Sequence, residues 1–282
     1  MIDWRQKLDY VSRVVGSGVC FGTFCLCCVV MTVSIFPLIS LTSPNKDATR
    51  RRVRRCLRYL YRFLLGLGRT LGMISFEVHG FERLAVPGQL VVANHPSLID
   101  MLYIGSATPQ MDCIVKDALL RRPFLRSVVR WADFIPNAAP HHLIENCVST
   151  LRAGNSLLVF PEGTRSVPGQ PLKMKRGAAH IALAAQCDLL PVTIVCNPSS
   201  LTKTDVWYRV PRHRPHWHLS VGEPIRLASL VVPGESASRS ARRITAHLAE
   251  YFTARLGAVP VAPVEAVTSD HAAESAISAT NS

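Results

Sequence analysis

Acidic residues are scarce in this chain: its 282 residues include 19 Asp and Glu against 32 Lys and Arg, which gives a formal net charge of +13. An excess of this size suits anionic lipids, nucleic acids or acidic cofactors, and by itself it does not distinguish them. Charged residues of both signs make up only 18% of the chain, whereas hydrophobic residues make up 48%. This composition is apolar for a soluble protein and directs attention to a membrane segment.

The sequence also lacks the motifs of several other classes of protein. The sequence has no G-x-S-x-G motif, which argues against the nucleophile elbow of a serine hydrolase. It has no nucleic-acid recognition motif, and much of its positive charge lies beside an apolar N-terminal run, so we expect no nucleic-acid partner. The nine cysteines lack the pattern of a disulfide framework, and we interpret them as reduced thiols of a cytosol-facing protein.

The N-terminal part of the chain is long and apolar. No charged residue occurs between Val14 and Asn45, and the stretch Val19–Leu41 is almost wholly apolar. A membrane-spanning helix needs about 20 such residues, whereas the core of a signal peptide is shorter and ends at a small-residue cleavage site, which is missing here. The sequence therefore predicts a retained membrane anchor over residues 1–45, kinked by Pro37. A buried core helix or a hairpin in one leaflet is the alternative.

Basic residues follow this run far more densely than they precede it. By the positive-inside rule, the asymmetry places the following domain in the cytoplasm, at the inner membrane. Within Arg50–Leu71, leucines repeat at helical spacing with arginines on nearly the opposite face. This pattern predicts a basic amphipathic helix over residues 46–73 that lies on anionic headgroups. A solvated charged face above a buried stripe is the alternative interpretation, and the two are compatible.

Short strands alternate with helices in the rest of the chain. Strands are predicted at Ile74–Val78, Leu90–Ala93, Cys113–Val115, Leu157–Phe160, Leu190–Val195 and Trp217–Val221. Helices are predicted at Pro96–Ile104, Pro123–Ala132, His142–Ala153 and Gly177–Ala185. The alternation predicts an α/β domain over residues 74–257, with a mixed, largely parallel sheet flanked by helices. Residues 258–282 are rich in Ala, Ser, Val and Pro, and we expect a disordered tail.

The first segment whose residues could carry catalytic chemistry is Asn94–Asp100, which directly follows a predicted strand. Pro96 suits the first position of a helix, so His95 is expected in the strand–helix turn, near the positive end of the helix dipole. Asp100 can fold back and hold one imidazole nitrogen, which leaves the other free to take a proton. This is the arrangement of a general base, although such a pair taken alone is more often structural.

The second segment is Phe160–Ser166, which also follows a predicted strand directly. Gly163 permits a tight backbone path. Arg165 offers a planar fork for phosphate, and Glu162 can accept hydrogen bonds from hydroxyl groups or orient Arg165. Three more basic residues follow closely, Lys173, Lys175 and Arg176. Ligands of open α/β sheets gather beyond the carboxyl ends of strands, where both segments are expected.

Together the two segments, N-H-x-x-x-x-D and F-P-E-G-T-R-S, resemble the glycerolipid acyltransferase family, which includes the bacterial 1-acylglycerol-3-phosphate acyltransferases. The resemblance covers residues 74–225, with weaker matches at Lys116, Pro123 and Leu190–Ile194. It implies that a fatty acyl chain passes from a coenzyme A or acyl-carrier-protein thioester to a hydroxyl of a (lyso)glycerophospholipid-like acceptor. It implies membrane lipids as partners, and neither a bound cofactor nor a metal.

The resemblance also implies a role for each matching residue. His95 would deprotonate the acceptor hydroxyl and Asp100 would orient His95. The acceptor would be bound by the remaining matching positions, which are Glu162, Gly163, Thr164, Arg165 and Lys116. An acyl-enzyme on Ser97 or on a cysteine is the alternative to direct attack.

The chain departs from the family pattern after Phe134-Ile135, where many members carry an arginine within two residues. Pro136 and Asn137 stand there instead, so one phosphate contact of the family is missing. The sequence therefore leaves four classes of acceptor lipid: lysophosphatidate, another lysolipid, an aminolipid or a polyene-type lipid. A non-catalytic lipid-binding or scaffold protein is the rival function, and an intact His95 and Asp100 argue against it.

His213, His216 and His218 are interpreted as a basic loop rather than a metal site, since Arg and Pro crowd them.

Overall fold

The computed structural model of the protein describes residues 4–121, 123–137 and 140–258. The helices are α1 (Trp4–Val30), α2 (Phe36–Thr42), α3 (Lys46–Thr70), α4 (Asp100–Ala107), α5 (Asp117–Leu120), α6 (Pro123–Ala132), α7 (Pro140–Arg152), α8 (Gly177–Ala185) and α9 (Ala237–Ala258). The strands are β1 (Ser75–His79), β2 (Leu90–Ala93), β3 (Met111–Val115), β4 (Ile135–Pro136), β5 (Ser156–Val159), β6 (Leu189–Asn197) and β7 (His216–Val221).

The strands form one sheet in the order β1-β7-β6-β2-β5-β3-β4. Neighbouring strands are parallel except for β6 and β7, which are antiparallel. The predicted α/β class with a mixed, largely parallel sheet is therefore confirmed. Because β2, β5 and β3 run in the same direction, the loops that follow them meet at one edge of the sheet, where ligands of such folds bind.

Helices cover both faces of the central strands. On β2, Val91 and Ala93 pack into a layer built with α3, α4 and α6, whereas Leu90 and Val92 pack into a layer built with α7, α8 and α9. Alternate side chains of a strand point to opposite faces. With both faces buried, the strand is apolar at every position, as expected for a parallel sheet.

The predicted basic amphipathic helix corresponds to α3. It begins after Asn45, whose side chain accepts a hydrogen bond from the Ala48 backbone N–H at 2.8 Å and so caps the helix. The apolar stripe of α3 is buried in the first layer and contacts α4. Arg51 and Arg55 are exposed. The helix thus presents a charged face above a buried stripe, and its binding to headgroups stays a prediction.

One arginine of α3 is buried. Arg54 is 4% exposed, and its guanidinium lies 2.8 Å from the Asp112 carboxylate on β3. The same guanidinium donates to the Ala132 carbonyl at 2.9 Å, and the Thr150 hydroxyl donates to Asp112 at 2.7 Å. Burial raises the pKa of Asp112, and Arg54 opposes that shift. The pair ties α3, α6, α7 and β3 together inside the domain.

Residues Lys7–Thr42 form one helical run of 36 residues, long and apolar enough to cross a membrane by length and composition alone. A core helix or a signal sequence would pass the same test. Its most apolar window has a mean hydropathy of 2.5, and only 17% of that window is buried. This low burial disfavours the core-helix alternative, although one face, with Met31 and Phe36, does pack against the domain.

The expected disturbance by Pro37 takes the form of a π-helical turn just before it. Residues Met31–Ile35 form this turn between α1 and α2, and the Phe36 backbone N–H donates to the Met31 carbonyl. Proline has no N–H to donate, and its ring clashes with the carbonyl four residues earlier. A wider turn upstream relieves that clash without ending the helix.

Some local predictions are corrected by the structure. His216 and His218 belong to β7, so the predicted basic loop ends before them. Helix α9 was not predicted, and it covers the sheet with Ile244, Leu248 and Phe252. Of the predicted tail, only Ala258 is described, as the last residue of α9, and the rest lies outside the described residues.

Candidate active site

The two predicted motifs lie side by side because β2 and β5 are neighbours in the sheet. The loop after β2 carries His95, and the loop after β5 carries Glu162 and Arg165. Lys116 follows β3, the next parallel strand. The sheet therefore brings to one edge residues that are far apart in the sequence.

His95 and Asp100 form the predicted pair. Nδ1 of His95 lies 2.9 Å from Oδ2 of Asp100. The same carboxylate oxygen accepts the Ser97 backbone N–H at 2.7 Å, so the loop folds around it. The His95 ring also stacks on Phe160, with ring centroids 4.0 Å apart and an interplanar angle of 17°. These contacts fix the imidazole in one orientation, with its side chain 19% exposed.

The backbone structure that positions His95 differs from the predicted one. Helix α4 begins at Asp100 rather than at Pro96. His95 therefore precedes the helix by a full turn of loop, and its orientation comes from the carboxylate and from Phe160 rather than from the helix dipole. Asp100, as the first helical residue, stays rigid at the base of the loop.

The second motif holds the backbone of His95. Glu162 is 8% exposed, and its Oε1 accepts the His95 backbone N–H at 2.9 Å and the Ser166 hydroxyl at 2.8 Å. The Ser166 backbone N–H donates in turn to the His95 carbonyl at 2.7 Å. Glu162 was predicted to meet a hydroxyl or to orient Arg165. Its contacts among the described residues show a bridge between the two motif loops.

Asn94 has a role that sequence reasoning missed. Its side-chain amide donates to the Ile194 carbonyl at 2.7 Å and accepts the Ile194 backbone N–H at 2.8 Å. This pair of bonds continues the sheet ladder from β2 to β6 through a side chain. The residue stands directly before His95, so the clamp fixes where the loop leaves the sheet. The sequence feature that could have predicted this role is an asparagine placed between an apolar predicted strand and a candidate catalytic histidine.

Arg165 reaches the loop that follows β6. Its guanidinium donates to the Leu201 carbonyl at 2.9 Å and to the Thr202 carbonyl at 2.8 Å. The Leu98 backbone N–H also donates to the Leu201 carbonyl, at 3.1 Å. This loop is thereby fixed beside the two motif loops. Both carbonyls bind a single guanidinium nitrogen, NH1 of Arg165, and no hydrogen bond of its other nitrogens is found among the described residues.

Positive charge collects at the same edge. The pKa of Lys116 is lowered by partial burial and by three nearby cations, Lys203, Lys175 and Arg165. Gly163 has a φ of +65°, and a side chain there would meet the ammonium group of Lys175. The positive φ favours glycine at this turn, whereas the flexible side chain of Lys175 could move aside. The predicted Lys116 and Arg165 are brought together, and Lys203 joins them from an unpredicted loop.

Behind Asp100 the site is closed and polar. Asp100 and Trp217 are fully buried, and Tyr103 lies one helical turn after Asp100 with its ring 5.8 Å from the Trp217 ring. Burial raises the pKa of Asp100, and hydrogen bonding from His95, the Ser97 N–H and the Trp217 indole opposes the shift. The Trp217 indole N–H and the second Asp100 oxygen both lack a partner of normal hydrogen-bond geometry among the described residues.

The arrangement can abstract a proton. With Nδ1–H of His95 bound to Asp100, the lone pair of Nε2 is the acceptor, and no hydrogen bond to Nε2 occurs within the described residues. The buried carboxylate would stabilise an imidazolium formed in this way. An anionic molecule attracted by Lys116 and its neighbours would place its hydroxyl next to Nε2.

Comparisons with known proteins point to the same family as the two motifs. Residues 75–195 match the family model described as Acyltransferase. The chain is 28% identical to the 1-acyl-sn-glycerol-3-phosphate acyltransferase of Pseudomonas aeruginosa, over 51% of this chain and 58% of that protein. It is 31% identical to the enzyme of the same name from Saccharomyces cerevisiae, over 52% of this chain and 49% of that protein. The chain thus spans about half the length of the curated relatives it matches.

A solved structure has a similar fold. The 1-acyl-sn-glycerophosphate (LPA) acyltransferase PlsC from Thermotoga maritima superposes with a TM-score of 0.60, covering 89% of this chain and 98% of that one. The sequence identity is 21%, so the likeness shows the fold alone. It extends over most of the described residues, beyond the part matched by the family model.

Proposed function

We propose that this chain, whose residues 75–195 belong to the acyltransferase family, transfers a fatty acyl chain to a hydroxyl of a (lyso)glycerophospholipid-like acceptor. The donor is a thioester of coenzyme A or acyl carrier protein. His95 acts as the general base. The observation that carries the proposal is the 2.9 Å contact between His95 and Asp100 at the edge where four cations converge.

The proposed reaction needs one base. Nε2 of His95 takes the proton of the acceptor hydroxyl while the oxygen attacks the thioester carbonyl. The carbon–sulfur bond then breaks, and the thiolate leaves with the electron pair and recovers the proton from the imidazolium. A thiolate is a good leaving group, so a separate strong acid is not required. Asp100 keeps the ring in the correct tautomer throughout.

A non-catalytic lipid-binding protein is the rival function. The cationic edge would serve such a protein equally well. Lipid binding has no use for a general base, whereas the structure holds His95, whose side chain is 19% exposed, against the buried carboxylate of Asp100. Labelled acyl-CoA or acyl carrier protein, a panel of lysolipids and mass analysis of the products would decide between the two.

The proposed membrane contact lies in one leaflet. The domain touches the N-terminal run at Arg13, whose guanidinium bonds the Arg212 carbonyl, and again at Phe36, whose ring lies 6.0 Å from Trp131. These contacts are separated by about 34 Å at 1.5 Å per helical residue, roughly the hydrocarbon thickness of a bilayer. A perpendicular crossing would pull the polar domain into hydrocarbon. A run lying along the interface, with the domain in the cytoplasm, avoids that cost.

The exposed face of this run gives a test. Leu26 is 63% exposed and Val33 is 69% exposed. Burying a valine or leucine side chain contributes about 1.5–3 kcal/mol, so Leu26→Asp with Val33→Asp should weaken binding to anionic vesicles more than tenfold in flotation assays. The matched control is Val86→Asp with Val232→Asp, at two exposed valines of the domain. Equal binding of both double variants would contradict the proposed surface.

Arg165 is proposed to hold the anionic acceptor. In Arg165→Lys a point charge replaces the fork, and a charge-assisted hydrogen bond worth about 1.5–3 kcal/mol is lost. The KM for the acceptor should rise about tenfold or more, with the KM for the donor little changed. Arg176→Lys, at an exposed arginine nearby, is the control. A rise confined to the donor's KM would assign the pocket to the coenzyme or carrier phosphate instead.

A further inference from the structure

The edge strand β1 and its neighbour β7 carry a second group of side chains with metal-binding or titratable groups. On β1 and β7, Trp217 and its alternating neighbours face the first core layer, so His216 and His218 point to the opposite side. There the sheet is left partly open: Glu77 and His79 are exposed, and His218 is half-buried. Glu77 stands opposite His218 in the parallel register.

These side chains converge. The His218 Nδ1 is in hydrogen-bond contact with Glu77 Oε1. The His79 ring centroid lies 5.1 Å from that of His218. The candidate ligand atoms of Glu77, His79 and His218 all lie within 4.8 Å of one another. His216 is close as well, with Nε2 3.8 Å from the same Glu77 oxygen.

We propose that Glu77, His79 and His218 form a binding site for a borderline divalent transition-metal cation such as Zn²⁺. Neutral imidazole and carboxylate are the donors such cations prefer, and three protein ligands leave a position for water. The cation takes the place of the hydrogen between His218 Nδ1 and Glu77 Oε1, and the neutral imidazole then carries its ring hydrogen on Nε2. His216 is within reach as a fourth donor.

The backbone supports this assignment. Two of the ligands stand two residues apart on β1 and the third is cross-strand on β7, so the sheet fixes their spacing. Only side-chain rotations, at exposed positions, are needed to close the site. The strand alternation also separates it from the catalytic pair, because Trp217 faces Tyr103 on the other side of β7. The inference is therefore independent of the proposed acyl transfer.

The test uses the full chain in detergent, titrated with Zn²⁺ against a competing chromophoric chelator. His79→Ala and His218→Ala should each weaken one equivalent of binding about tenfold or more. Zn²⁺ should also raise the unfolding temperature of the unmodified chain, because the three ligands are brought together only in the folded state, and this rise should shrink in His218→Ala. Co²⁺ as a probe should show visible bands without thiolate charge transfer, which separates this site from the cysteines.

The matched control is His142→Ala. His142 is exposed and lies 3.3 Å from Glu145 on one helix, so it offers a simple histidine–carboxylate pair. Binding should be unchanged in this variant. Full retention of Zn²⁺ in His79→Ala and His218→Ala, or an equal loss in His142→Ala, would overturn the proposal by showing scattered adventitious binding.

Discussion

His95→Ala is expected to lower the rate of acyl transfer by about 10²–10⁴-fold, the usual contribution of a positioned general base. Alanine removes Nε2 but leaves the backbone bonds to Glu162 and Ser166 in place. The loop should therefore keep its fold, and vesicle binding should persist. The measurement is initial rate at saturating donor and acceptor, beside circular dichroism of both proteins.

The control for this variant is His213→Ala, an exposed histidine of the loop before β7. It should retain normal turnover. Asp100→Asn gives a second check, because the amide keeps the size of the carboxylate while removing the charge that stabilises the imidazolium. Near-normal turnover in a folded His95→Ala protein would remove His95 as the base and favour the acyl-enzyme alternative.

Arg54→Met is expected to destabilise the fold by about 3–5 kcal/mol, the cost of leaving one member of a buried ion pair uncompensated. Arg54 and Asp112 are 4% and 2% exposed, so solvent cannot take over the lost contact. Chemical unfolding in a constant detergent background would measure the loss. The double variant Arg54→Met with Asp112→Leu should be more stable than Arg54→Met alone, because no buried charge remains.

Two further measurements distinguish the loss of the buried ion pair from a nonspecific loss of stability. Arg50→Met removes a half-exposed arginine that pairs with Asp47 and Asp133, and should cost at most about 1 kcal/mol. The deficit of Arg54→Met should also shrink as the pH falls. Burial raises the pKa of Asp112, so the folded state binds a proton more tightly than the unfolded chain, and acid favours folding at this residue. A deficit that is small, or independent of pH, would contradict the assigned cause.

The candidate site was predictable where its chemistry is local. His95 and Asp100 are five residues apart, and their contact depends on one loop, so the motif alone anticipates it. The contacts of Glu162 and Arg165 depend on which strands are neighbours. A reading of single segments places each residue at a strand end but cannot say that Glu162 binds the His95 backbone, or that Arg165 binds the carbonyls of residues 201 and 202.

The fold was predictable to a similar extent. The central parallel strands are short and mostly apolar, and all six predicted strands begin and end within two residues of the observed ones, whereas the two-residue strand β4 was not predicted. Arg54 shows the limit, because its position beside the apolar stripe of α3 does not reveal which partner it meets there. Only the position of Asp112 on a strand beneath α3 makes it a buried partner.

The π-helical turn at Met31–Ile35 has a consequence for how this chain tolerates changes in length. An α-helix turns by about 100° per residue, so deleting a residue within α1 would rotate Phe36 away from Trp131, or Phe21 away from Trp207. A π turn already holds one surplus residue. Removing a single residue inside it would restore ordinary α-helix and leave both ring contacts in phase. Natural length variation in this run is therefore expected to concentrate at that turn.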